Sequence, residues 1–154
     1  MPGNSDPIYT RVGDIQTDTL AATTLLGPTA NTAQDGTGTI YPIWVADATN
    51  GGYCQRLLFQ SISTVIATVC RIFLADSTTT ITSGALVSNT SANTHLINEI
   101  SLPAITVSQT TANSHLEMPI NMPIPPGFKI CVAFGTSTGA GTTGWNVVAV
   151  GGKY

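Results

Sequence analysis

The chain has 154 residues, enough for one domain that buries about two thirds of its unfolded surface in a single core. Charged residues are 8% of it, five Lys and Arg against eight Asp and Glu for a net charge of −3. An average soluble domain carries about 25%, so a helical protein with a charged outer face is excluded, as is a binder that works by neutralising phosphates.

Threonine is the commonest residue, and neutral hydroxyls and amides fill the polar positions, which suits strands and turns. Residues 1–38 are Thr-, Ala-, Gly- and Asp-rich, with Ile15, Leu20, Leu25 and Leu26 scattered at no period of 2 or 3.6. They read as an extended N-terminal arm, either disordered or ordered by lying along its own domain or a neighbour. The first seven residues show no basic stretch followed by an apolar one, so no secretory leader is expected and the protein is expected to be made and kept in a cytoplasm.

Residues 39–154 read as the folded domain. A strand is expected over 39–45, and strands over 53–62 and 65–74, joined through Ser63-Thr64, suggest a long hairpin. The strand over 65–74 offers Val65, Ala67, Val69 and Phe73 to one face and Ile66, Cys70, Ile72 and Leu74 to the other. Both faces are apolar, so either the arm or another subunit must cover the second, and an oligomer is expected with Phe73 and Leu74 at the contact. Residues 65–75 are the most apolar stretch, but they are too short to span a bilayer and contain Arg71, so no membrane association is expected.

Residues 76–93 read as a long loop with one short strand near 85–87, and a strand returns over 96–102. From 115 to 124, Leu116, Met118, Ile120, Met122 and Ile124 alternate with Glu117, Pro119, Asn121 and Pro123. The prolines remove donors from one side, which places this strand at a sheet edge. After the Pro125-Pro126-Gly127 turn, Phe128, Ile130, Val132 and Phe134 share one face of a further strand, with Lys129, Cys131 and Ala133 on the other. A Gly/Thr-rich loop then leads to a last strand over 145–150. Short strands spaced by turn signals, with no helix long enough for a crossover, imply an all-β antiparallel sandwich, jelly-roll-like.

No segment carries recognisable chemistry. Gly139-Ala-Gly-Thr-Thr-Gly144 matches the dinucleotide fingerprint, but the residues after it read as a strand, not the helix that such a loop needs. His95 and His115, with Glu99 and Glu117 downstream, could supply metal ligands, and are read instead as polar residues where turns enter strands. Cys54, Cys70 and Cys131 have no ligand spacing and read as reduced, buried thiols. Trp44, Tyr53 and Trp145 could build a sugar-stacking platform, although large strand aromatics are more often core. Paired acids and a G-x-S-x-G nucleophile elbow are both missing, so no enzyme, catalytic residue, metal or cofactor is expected.

Two stretches carry a resemblance: Thr29-Ala-Asn-Thr-Ala-Gln-Asp-Gly-Thr-Gly-Thr-Ile40 and the terminal Trp145-Asn-Val-Val-Ala-Val-Gly-Gly-Lys-Tyr154. With the Leu-rich segment around Arg56 and the Pro-Pro-Gly turn, the chain resembles small tailed-phage virion proteins of the capsid decoration, or cement, type. That resemblance implies a β-sandwich bound as a homotrimer to the major capsid protein on the outside of an icosahedral head. Ile15, Leu20, Leu25 and Leu26 of the arm would then join Phe73 and Leu74 as partner contacts. The competing reading is a glycan-binding module or tail adhesin of the same fold.

Overall fold

The computed structural model describes residues 10–17, 26–113, 115–139 and 143–154. Ten strands follow in order: β1 (Val12–Thr17), β2 (Tyr41–Val45), β3 (Gly52–Ser61), β4 (Thr68–Ala75), β5 (Thr80–Thr82), β6 (Ala85–Val87), β7 (Thr94–Leu102), β8 (Leu116–Ile124), β9 (Lys129–Phe134) and β10 (Trp145–Lys153). Among the described residues there is no helix.

The long strands pair as a nest: β1 with β10, β2 with β9, β3 with β8 and β4 with β7, every pair antiparallel. Alternate pairs lie in different sheets, giving the orders β1-β10-β3-β8 and β2-β9-β4-β7, with β5-β6 a small separate ribbon. This is a two-layer antiparallel β-sandwich. One core joins the inner faces, with Trp44, Leu57, Phe59, Ile72, Val132, Phe134, Trp145 and Val147 all fully buried.

The expected alternation is present where it was clearest. Along β8 the even-numbered residues face the core and the odd-numbered ones are exposed, and the strand lies at a sheet edge, where Pro119 and Pro123 cost the ladder least. In β9, Ile130, Val132 and Phe134 enter the main core, while Cys131 and Ala133 enter a second cluster on the outside of the same sheet.

That second cluster corrects the reading of residues 65–74. Phe73 and Ala75 are covered by Ile40, Leu86 and Ile81 of the same chain, so no second subunit is needed over this face. The cover is held by polar stitching. Asn31, buried, donates from Nδ2 to the carbonyls of Thr37 and Thr39 at 2.9 and 3.0 Å. Its backbone carbonyl accepts from Arg71 Nη1 at 2.9 Å, and Arg71 Nε also pairs with Glu99. The amide of Leu86 donates to Ile40, tying the β5-β6 ribbon onto the same layer.

The hairpin expected over 53–74 is not formed either: β3 and β4 belong to different sheets. A two-residue hairpin needs positive φ at its turn, and no residue from 61 to 67 has it, so the chain arches across the sandwich instead. The β8–β9 connection arches likewise through Gly127, whose φ of +73° admits the turn. Within the expected arm, β1 is a strand that local periodicity did not reveal. Its alternation is broken because neither face is buried.

Candidate functional site

Strand nesting gathers the connections at two ends, and the ends differ in chemistry. At one end lie the β2–β3, β4–β5 and β8–β9 turns. Asp47 Oδ1 accepts from the amides of Asn50 and Thr49, both at 2.9 Å, and these two bonds hold its carboxyl below the usual carboxylate range. The Thr78 hydroxyl does the same for Asp76, donating at 2.6 Å. Lys129, 7% exposed, donates to the carbonyls of Asp76 and Gly127 and to Thr79 Oγ1 at 3.1–3.2 Å. Burial pushes its pKa down, and the three oxygens replace its lost water. This end is a set of self-satisfied turns.

The opposite end is built from residues 61–67, 101–113 and 135–139, which contain no charged residue. There Val65 and Ile105 form a β-bridge with N–H···O bonds of 2.9 and 3.0 Å, and Thr68 Oγ1 both accepts from the amide of Thr136 and donates to its carbonyl. These bonds fix the loops while leaving apolar side chains outside: Ile62 is 51% exposed, Ile66 54% and Val107 38%. Beside them an open groove of about 470 Å³ is lined by Ala67, Val69, Leu102, Pro103 and Thr136 among others. A rigid, neutral, partly apolar surface can take a protein partner by loss of water and can do no acid–base work.

The residues proposed from sequence for a partner contact scatter. Leu26 and Phe73 are 0% exposed, each inside a core cluster, which leaves them no surface to offer. Leu74 is half-buried against the main core. Leu20 and Leu25 lie outside the described residues. Among the described ones, Ile15 is the one left exposed, at 68%, on β1. Sequence reasoning missed Ile62 and Val107 and placed Ile66 only on an apolar strand face; the signal for all three together was the run of charge-free loop residues around them.

The other candidates resolve into structure. Glu99 pairs with Arg71 at 2.9 Å and Glu117 with Arg56 at 3.5 Å. Among the described residues no three His, Cys, Asp or Glu side chains come together as metal ligands would. The three thiols are free and buried, and burial pushes Cys54 and Cys131 up to about 12 and raises Cys70 further, which suppresses thiolate chemistry. Trp44 and Trp145 are wholly buried, so the sugar-stacking platform with Tyr53 is not formed. Gly144 runs into β10, a strand, where a nucleotide fingerprint needs a helix.

Comparison of the chain with protein-family models, with curated proteins and with solved structures gives no match in any of the three.

Proposed function

We propose that the protein is a structural virion component, a decoration or cement protein that binds the outer surface of an icosahedral phage head as a trimer and stabilises it. The observation that carries this reading is the contrast between the two ends of the sandwich. One end consumes its own polar groups in turns, and the other presents Ile62, Ile66 and Val107 among neutral Ser and Thr residues on bonded loops. A cement needs a stiff body and a surface that gains by leaving water, and it needs no reacting group. The sequence resemblance supplies the shell as partner, and a trimer bridging neighbouring capsomers gains from several simultaneous attachments.

The experiment is add-back to particles stripped of the protein. Wild type is expected to restore occupancy and raise the temperature of genome release. Ile62→Asp/Ile66→Asp is expected to fold normally and bind at least tenfold more weakly, since unpaired carboxylates would be carried into an apolar contact. Truncation to residues 29–154 is a poor probe of the arm, because it removes Leu26, which is 0% exposed and exchanges two backbone bonds with Trp145. Failure of the wild type to bind any shell defeats the proposal. Mass spectrometry of purified virions gives an independent check through copy number.

A further inference from the structure

We propose that β1 is an exchangeable strand: the side of β10 that β1 occupies is a docking site for β1 of a second copy of this chain, and copies join by trading these strands. The inference stands apart from the virion reading and holds whatever the protein binds.

The first ground is how β1 is held. None of its six residues belongs to either apolar cluster. Its contacts include its ladder to β10, the Asp14–Lys153 ion pair at 3.8 Å, and Gln16, whose side-chain amide donates to the Val45 carbonyl and accepts from the Val45 amide, each at 2.9 Å. All of these are contacts between β1 and the body that are as good from a neighbour's strand as from its own. Leaving the sheet therefore opens no cavity in the core, unlike the loss of any other long strand.

The second ground is the state of the outer edges. Pro42 lies on β2, and Gln16 occupies the β2 backbone at Val45. On β7 a register irregularity falls opposite Ile72 and Phe73, and the Glu99 amide is taken by Asn98 Oδ1 at 2.8 Å. β8 carries Pro119 and Pro123. Three of the four outer strands thus carry features that resist a foreign strand. β1 has no proline and no register irregularity, and it holds the two most exposed large apolar side chains among the described residues, Val12 at 63% and Ile15 at 68%.

The third ground fixes the occupant. The side of β10 already accepts this sequence in one register, from Val12↔Lys153 to Thr17↔Val148, with Gly13 against Gly152 and Asp14 against Gly151. A Cβ at Gly152 would come within 2.6 Å of Thr10 Cβ, so the seat is shaped to this segment. A second copy brings the same segment. Eight residues separate Thr17 from Leu26. At most about 3.3–3.6 Å each, they reach on the order of 25–30 Å, enough to cross to an adjacent small domain. Exchange of an identical element between protomers is a low-cost route to association.

The test is a disulfide placed across the seam. Ile15 and Val150 are register partners, exposed and half-buried respectively, and the native thiols are all buried. Unlabelled and ¹⁵N-labelled Ile15→Cys/Val150→Cys chains are mixed at high concentration, equilibrated under reducing conditions and then oxidised. Exchange is expected to give covalent bands above the 15.9 kDa chain, rising with concentration, and linked 15–150 peptides of mixed label. Thr17→Cys/Val148→Cys, also register partners, repeats the test should the first pair fold poorly or resist oxidation. Links confined to one chain at every concentration, or no link between copies with either pair, overturn the proposal. The free protein suffices, so failure here leaves the shell-binding proposal standing, and failure of shell binding leaves this one standing.

Discussion

Lys129 shows how few charges this protein needs when each is placed against backbone oxygens. Replacing it with Met keeps the stem and strands three acceptors, so Lys129→Met is expected to cost about 1–3 kcal/mol, read as a lower midpoint in urea. The thiols dominate the alkaline side. Their folded pKa values lie above the ordinary value of 9.0, so the stability they contribute is complete below pH 9 and is lost as pH rises toward 12. Lys129 acts in the opposite sense, since its lowered pKa adds stability as pH climbs toward 10.5, but it is one group against three. Thermal melts under reducing conditions should therefore fall steadily above pH 9, and a flat profile would contradict this account. Phe73→Ala is expected to cost about 3–5 kcal/mol on denaturation, the signature of a core residue and not of a partner contact.

At the scale of elements, the strands that alternate were readable and their neighbours were not. In β8 and β9 a period of two is written in the side chains because a strand with a buried face must alternate. β1 buries neither face, so it left no pattern, and only the β10 ladder makes it a strand. Ser63-Thr64 and Pro-Pro-Gly both marked turns, yet a turn does not say whether the chain returns to its own sheet or crosses to the other. The Gln16 clasp on Val45 joins residues 29 apart in sequence and had no local sign. Gln16→Ala is expected to leave the core intact and weaken the β1–β2 edge by about 1–2 kcal/mol, seen as faster hydrogen exchange at the Val45 amide. Gly51→Ala is expected to be worse than propensity suggests, because φ is +77° and the new Cβ would lie 2.5 Å from the Ile124 carbonyl oxygen. A melting temperature within a degree of wild type would contradict that geometry.

At the scale of the whole molecule, a low charge count sets how it can associate. With no charged residue in the segments that form the apolar end, any contact made there should vary little with ionic strength. Occupancy on particles measured between low and high salt is expected to change by less than about threefold, where a phosphate binder would lose orders of magnitude. The sequence by itself determined the all-β class, the edge position of β8, the burial of the thiols and the low charge count, because these follow from composition and from period-two patterns that are local. Only the tertiary structure decided which apolar residues stay exposed. Leu26 and Phe73 look as available in the sequence as Ile62 and Ile66, but long-range strand pairing buries the first two and sets the others on an outer end. Burial is a property of what packs on a residue from far along the chain, and that information lies in the nesting of β1 to β10 and not in any window of the sequence.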